Sequence, residues 1–181
     1  GLAEFSSPEY EADDIIGTLH ERFRRDGMRS TVVTRDKDMA QLIREGDVYW
    51  SWSDNLQLRH GEIAHHFGVQ PERYADYLAL TGDAVDNIQG VPGIGPKTAT
   101  VLMTEYASLE ELYDNLDDLA QLPLRGAAKL AAKLIEHREA AFLARQLTEI
   151  ARDMPLEAPR ESLLRRSPDL AALTSFFDHH N

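Results

Sequence analysis

Residues 78–99 read LALTGDAVDNIQGVPGIGPKTA and combine two aspartates with a run rich in glycine and proline. Asp83 and Asp86 stand three positions apart, and the segment after them has few side chains with which to form a core. Glycine lets a backbone approach another surface closely, and proline favours the first position of a helix. The stretch therefore predicts a carboxylate pair, then a tight hairpin, then a helix that begins at Pro96.

The string GVPGIGPKTA, residues 90–99, is typical of a helix–hairpin–helix, in which backbone amides hold a nucleic-acid phosphate without reading bases. Gly93 and Gly95 can take positive φ angles and bring bare backbone close to another surface. Lys97 falls in the first helical turn, where the helix dipole disfavours a cation unless an anion lies near. A nucleotide P-loop is excluded, because proline rather than lysine follows Gly95. The predicted DNA contacts here are Gly93, Gly95, Lys97 and Thr98, and the alternative is an ordinary turn between helices.

A second cationic feature follows the hairpin. Arg125, Lys129 and Lys133 recur every four residues, which places them on one face of a predicted helix. Next to a helix–hairpin–helix, this stripe is predicted to contact phosphates. The alternative is a solvated helix face.

The composition restricts the classes of function. The net charge is −12, which by itself argues against nucleic acid unless the acidic residues are concentrated at a metal site. The chain has no cysteine, so disulfides and thiolate metal sites are excluded, and a reducing compartment fits. No apolar run approaches the roughly 18 residues needed to span a bilayer.

Acidic side chains form groups at three places in the sequence. Each group alone is also typical of a turn, a helix cap or a solvated loop. Carboxylates without cysteine favour Mg²⁺ or Mn²⁺, and such a pool suits two ions about 4 Å apart, as in enzymes that cleave phosphodiesters. The predicted ligands are Glu11, Asp13, Asp14, Asp36, Asp38, Asp83 and Asp86.

The pattern of elements predicts an α/β fold with a partial parallel sheet, followed by an all-helical region. The predicted strands are residues 1–5, 30–34, 47–52 and 56–59. A first helix is predicted from Ser7–Pro8, and Asp38 is expected to cap a short second one. Further helices are predicted near residues 61–67, 71–80, 97–106, 108–115, 126–136, 138–150 and 167–177. The predicted domains are residues 1–60, residues 61–157 and a tail at residues 158–181.

Four strings together resemble the 5′-nuclease family, which comprises the 5′–3′ exonuclease domain of bacterial DNA polymerase I, stand-alone 5′–3′ exonucleases and flap endonucleases. The resemblance runs in order over residues 2–157 and suggests a core of the PIN-like nuclease type with a helix–hairpin–helix domain. The strings are EADDIIGTL (11–19), TRDKDMAQL (34–42), residues 78–99, and RGAAKLAAKLIEHREAAFLARQL (125–147).

The resemblance implies specific roles. Glu11, Asp13, Asp14 and Asp36 would bind one Mg²⁺ or Mn²⁺ ion, and Asp38, Asp83 and Asp86 chiefly the second. The carbonyls of Val91 and Ile94 would hold a K⁺ ion. The implied partners are duplex DNA with a 5′ end or 5′ flap and a fused or separate DNA polymerase, in the cytoplasm at the bacterial nucleoid.

Two departures from the family pattern matter. Arg35 stands where the family usually has glycine. The family fold also begins upstream of Gly1, with a strand that carries another metal-binding aspartate and a basic helical arch. The expectation is therefore a form that matches the C-terminal two-thirds of such a nuclease and is a poor nuclease by itself.

Other functions give weaker accounts of the sequence. A non-catalytic duplex-binding module would need the hairpin but would gain nothing from seven acidic residues near phosphates. A small-molecule phosphohydrolase would leave the hairpin without a role.

Overall fold

The structure is a computed structural model that describes residues 1–124 and 126–180, with all their side chains except that of Ala128. Its α-helices are α1 (Ala12–Arg25), α2 (His60–Phe67), α3 (Tyr74–Thr81), α4 (Pro96–Glu105), α5 (Leu109–Asp114), α6 (Ala127–Glu136), α7 (Arg138–Thr148) and α8 (Leu170–His180). Its strands are β1 (Thr31–Val33), β2 (Val48–Ser51), β3 (Leu56–Arg59), β4 (Gly82–Asp83) and β5 (Ile88–Gln89). Short 3₁₀ helices span Lys37–Leu42, Pro71–Arg73, Leu116–Gln121 and Arg160–Leu163.

The chain folds as two compact units. The first joins Gly1–Phe23 to the chain from Ala151 onwards, and the second is Arg24–Ile150. In the first unit, Ala151 N donates to Asp14 Oδ1 at 2.9 Å, and Met154 N donates to Thr18 Oγ1 at 3.2 Å. These bonds attach the returning chain to α1. The domain bounds predicted from the sequence stay a prediction.

A three-stranded sheet opens the second unit. β1 runs parallel to β2, and β2 runs antiparallel to β3. Val32, Tyr49 and Leu58 are cross-strand partners and all three are buried, so one face of the sheet contributes to a core. The α/β class predicted from the sequence is confirmed.

The helices of the second unit enclose a separate hydrophobic core. α3 packs mainly against α7 and α4. Leu102 and Leu109 are fully buried there, and burial of a leucine side chain contributes about 1.5–3 kcal/mol. The core places the N-terminus of α4, and with it the hairpin, on a rigid support.

Gln41 ties the 3₁₀ helix after β1 to the end of α7. Its Nε2 donates to Thr148 O at 3.0 Å, and its Oε1 accepts from Ile150 N at 3.0 Å. The side chain is only 1% exposed, and unpaired buried backbone groups would cost free energy, so these bonds hold the helix firmly. The same 3₁₀ helix carries Lys37 and Asp38.

The N-terminal segment differs from the sequence prediction. Residues 1–5 form no strand, because their backbone has no ladder partner in the described part of the chain beyond a single bond from Arg166 N to Gly1 O. Ser7 caps a turn rather than a helix: its hydroxyl accepts from the amides of Glu9 and Tyr10, and α1 begins only at Ala12.

The other elements agree closely with those predicted from the sequence. The strands predicted at 30–34, 47–52 and 56–59 are confirmed as β1, β2 and β3, and the predicted later helices correspond to α2 to α8. The short pair β4–β5 was not predicted, since two-residue strands leave almost no periodic signal. Among the helices that the structure describes, none combines the length and apolarity that crossing a bilayer would need.

Candidate metal centre and nucleic-acid interface

Three of the predicted ligands converge in the second unit. Each of Asp38, Asp83 and Asp86 offers a carboxylate oxygen, and these oxygens lie within 4.8 Å of one another. We call this group the acidic cluster. Asp38 comes from the 3₁₀ helix after β1, Asp83 from β4, and Asp86 from the β4–β5 turn. Residues some 45 positions apart in sequence are thus brought to one place.

The 3₁₀ helix begins in a different way from that predicted. Its N-cap is Asp36 rather than Asp38: Asp36 has extended backbone angles, and its Oδ1 accepts from Asp38 N at 2.9 Å. An extended residue directly before a helix is the one whose side chain can reach the amide two residues on. Asp36 is exposed and lies outside the acidic cluster as the structure describes it.

A close backbone contact fixes Asp83. Gly82 has φ +74°, and a Cβ there would lie 2.5 Å from Gly90 N. In the other direction, a Cβ on Gly90 would lie 2.3 Å from Gly82 N, so neither position has room for a side chain. Asp83 Oδ1 also accepts from Val85 N at 2.9 Å. The sequence analysis did not assign these two glycines, although their positions at each end of GDAVDNIQG are a usable signal.

Lys37 binds the acidic cluster, a contact that the sequence analysis missed. Its Nζ lies 2.5 Å from Asp83 Oδ2. Burial by itself raises the pKa of Asp83, but the Lys37 ammonium and the amides of Val85 and Asp86 outweigh it and hold this pKa below its usual range. For Lys37, burial acts in the other direction and lowers the pKa. The hydrogen bond to Asp83 and the charges of the surrounding carboxylates outweigh burial, so the pKa of Lys37 is raised.

The pKa of Asp38 is shifted in the opposite direction to that of Asp83. Burial raises its pKa to about 7; the positive charge of Lys37 opposes this rise, and the neighbouring carboxylates add to it. Its Oδ1 is buried and has no hydrogen-bond partner among the described residues. Buried carboxylate oxygens are normally hydrogen-bonded or coordinate a metal. The orphaned oxygen and the all-carboxylate donor set therefore fit a hard divalent cation such as Mg²⁺ or Mn²⁺.

The predicted ligands Glu11, Asp13 and Asp14 belong to the first unit. α1 begins directly after Glu11, so Asp13 and Asp14 lie in its first turn, as an acidic helix start favours. Asp14 Oδ2 accepts from Glu11 N at 3.2 Å, while its Oδ1 accepts from Ala151 N. These bonds define a local structural role for Asp14, and the metal-binding role of Glu11, Asp13 and Asp14 stays a prediction.

The hairpin leads into α4 as predicted from the sequence. Pro96 is the first residue of α4, and Gly93 has φ +83°. Gly95 does not use the positive φ that glycine permits: its φ of −98° and ψ of 178° are extended, because a residue before proline is driven out of the helical region. As N-cap, Gly95 has no side chain to bond the first amides of α4, so these amides are available to an external anion.

The basic stripe lies beside this hairpin. A cavity of about 230 Å³ is lined by Gly93, Thr98, Leu124, Gly126, Lys129, Leu130 and Lys133, and we call it the hairpin cleft. A Cβ on Gly93 would lie 2.3 Å from Lys133 Nζ, which shows how closely the ammonium approaches the hairpin backbone. Lys129 and Lys133 are thus brought to the hairpin, whereas Arg125 lies outside the described residues.

The two carbonyl residues predicted for K⁺ flank the tip of the hairpin. Val91 N donates to Leu80 O at 2.9 Å, and Ile94 N donates to Val91 O at 3.0 Å. A carbonyl oxygen has two lone pairs, so Val91 O keeps acceptor capacity. Val91 and Ile94 are both buried, which anchors the hairpin in the helical core.

The fold combines a small β-sheet, the acidic cluster and a glycine-containing hairpin supported by a helical core. Together these features define a nuclease-type fold. Family models give the particular family: "5′-3′ exonuclease, N-terminal resolvase-like domain" matches residues 1–68, and "5′-3′ exonuclease, C-terminal SAM fold" matches residues 69–171. The chain belongs to the 5′-3′ exonuclease family.

Individual relatives agree with this assignment. The chain is 40% identical over 178 residues to the thermostable DNA polymerase I of Thermus filiformis, covering 98% of this chain and 20% of that protein. It is 34% identical over 164 residues to a 5′-3′ exonuclease of Buchnera aphidicola subsp. Acyrthosiphon pisum, covering 91% and 57%. Among solved structures, T5 5′-exonuclease with bound divalent metal ions (zinc) superposes with a TM-score of 0.68 at 25% identity, covering 80% and 51%. The chain thus spans about a fifth to three-fifths of these relatives.

Proposed function

We propose that this chain is part of a divalent-metal-dependent 5′–3′ exonuclease or flap endonuclease that hydrolyses DNA phosphodiesters. The observation that carries the proposal is the acidic cluster, in which three carboxylates meet and one buried oxygen of Asp38 has no hydrogen-bond partner among the residues that the structure describes. Membership of the 5′-3′ exonuclease family supports it. We further propose that this chain acts in the cytoplasm, at the bacterial nucleoid.

The proposed metal ligands form two sets. Asp38, Asp83 and Asp86 hold one Mg²⁺ or Mn²⁺ ion. When bound, such ions lower the pKa of a coordinated water and stabilise charge on the reacting phosphate. The set proposed for the other ion is Glu11, Asp13, Asp14 and Asp36.

The chain's own residues act by positioning. The Gly82–Gly90 contact and the Asp83–Val85 bond orient the Asp83 carboxylate. The bonds of Gln41 fix the 3₁₀ helix that presents Asp38. A misplacement of about 1 Å can cost about a hundredfold in rate, so a rigid support of this kind matters for hydrolysis.

The hairpin cleft is the proposed duplex-binding element. The open N-terminus of α4 and the ammonium groups of Lys97, Lys129 and Lys133 would hold backbone phosphates, with Gly93, Gly95 and Thr98 at the hairpin. Arg125 would extend this stripe. We further propose that the Val91 and Ile94 carbonyls hold a K⁺ ion, that the DNA partner carries a 5′ end or 5′ flap, and that a fused or separate DNA polymerase acts with it.

The experiment that tests this function removes the metal. A 5′-labelled flap duplex is incubated with the 181-residue chain, and with a longer protein that restores the part of the stand-alone relatives which this chain does not cover. We expect the longer protein to cleave the substrate with millimolar Mn²⁺, and we expect neither protein to cleave it with EDTA. The same assay tests the expectation that the 181-residue chain alone is a poor nuclease. Cleavage that persists in EDTA, or no Mn²⁺-dependent cleavage by either protein, would contradict the proposal.

A further inference from the structure

Lys37 lies between two proposed metal ligands in the string TRDKD and contacts a third. It is the first residue of the 3₁₀ helix, and its Nζ reaches Asp83 Oδ2 at 2.5 Å across 46 residues of sequence. The Lys37 side chain is 40% exposed, whereas that of Asp83 is 1% exposed. A buried carboxylate is thus neutralised by a lysine whose side chain is partly exposed.

The positive charge is well placed for the cluster as a whole. Asp36, Asp38 and Asp83 all act electrostatically on Lys37, so its ammonium lies in the combined field of these carboxylates. Carboxylates held this close repel one another unless a cation is present. One ammonium group compensates only part of that charge, and within the described part of the chain Asp38 Oδ1 still has no hydrogen-bond partner.

We propose that Lys37 is the built-in counter-ion of the acidic cluster and that a divalent cation must displace its ammonium group from Asp83 in order to bind. The exchange breaks one N–H···O bond and forms one metal–oxygen contact at the same carboxylate. Lysine suits this role because its compact charge sits on a flexible stem, and the side chain is exposed enough for the released ammonium to move into water. Lys37 is therefore a positioning residue that sets the affinity of the cluster for metal.

This inference rests on the proposed metal site, and its test measures metal binding rather than cleavage. Mn²⁺ is titrated calorimetrically into the 181-residue chain and its Lys37→Met variant. We expect the dissociation constant for Mn²⁺ to be about tenfold lower in the variant than in the native chain. Loss of a fully buried charged hydrogen bond would give a larger change, but Lys37 is partly exposed. In EDTA, the melting temperature of the variant should fall, because buried Asp83 loses its partner.

Two further variants keep the test decisive. Lys37→Gln removes the charge but retains a donor for Asp83, so it should fold and tighten Mn²⁺ binding even if Lys37→Met does not fold. Arg165→Met removes one positive charge from an exposed site and should leave the dissociation constant unchanged.

The outcomes separate the two proposals. Unchanged or weaker Mn²⁺ binding by the Lys37 variants would overturn the counter-ion role while leaving the metal site intact. A native chain that binds no Mn²⁺, like its Asp83→Asn variant, would overturn the metal site itself.

Discussion

Replacing Asp83 with asparagine is expected to lower Mn²⁺-dependent cleavage by the longer protein by roughly a thousandfold or more. Stabilisation of transition-state charge by a metal contributes several kcal/mol, and about 4 kcal/mol corresponds to that factor. Asp83 is the buried member of the acidic cluster, so its loss should weaken the site more than loss of an exposed carboxylate. The measurement is the single-turnover rate on a 5′-labelled flap substrate.

The control makes the same chemical change at an exposed site. Asp117→Asn in the 3₁₀ helix Leu116–Gln121 should cleave at the native rate. Both variants should melt cooperatively, because asparagine can replace Asp83 Oδ1 as the acceptor for Val85 N. A folded Asp83→Asn variant that cleaves within about tenfold of the native rate would show that the acidic cluster is not the metal centre.

Removing two ammonium groups from the hairpin region should weaken duplex binding strongly and without regard to sequence. For the Lys97→Ala/Lys133→Ala variant at about 0.1 M salt, we expect a loss of about a hundredfold, and the salt dependence of log K should flatten by about two units. The reason is that Lys133 Nζ lies against the Gly93 backbone and Lys97 stands in the first turn of α4. Fluorescence anisotropy over a series of salt concentrations, with two unrelated duplex sequences, measures both quantities.

A charge-preserving variant completes that experiment. Lys97→Arg/Lys133→Arg retains both positive charges and should keep the native salt slope. A loss confined to one duplex sequence would mean that the hairpin reads bases. An unchanged slope in the alanine variant would mean that the hairpin is an ordinary turn.

Much of this fold could be predicted because its signals are local. The β-branched run at 30–34 gives β1, and the turn at 53–55 separates β2 from β3. Pro96 marks the start of α4, since its fixed φ suits the first helical position. The failure at residues 1–5 has a non-local cause: the segment has the composition of a strand but lacks a partner strand within the described residues.

The site was harder to predict because its geometry depends on contacts between distant residues. The string TRDKD indicated Asp36 and Asp38 but gave no sign that Lys37 reaches Asp83. The Gly82–Gly90 contact leaves no more in the sequence than two glycines, because only the folded backbone shows that a Cβ would collide there.

Of the seven proposed ligands, the structure joins three into one cluster. The acidic groups in the sequence indicated the other four, but only the family resemblance assigned them to one ion, and Asp14 shows why. Both of its carboxylate oxygens accept backbone amides, so the local pattern at the start of α1 is accounted for without a metal.

The most direct test of the metal centre is anomalous diffraction from crystals of the chain grown or soaked with Mn²⁺. We predict a manganese peak bonded at about 2 Å to carboxylate oxygens of Asp38, Asp83 and Asp86, with the Lys37 ammonium displaced from Asp83. A crystal that binds manganese only elsewhere, with the Lys37–Asp83 bond intact, would contradict the account.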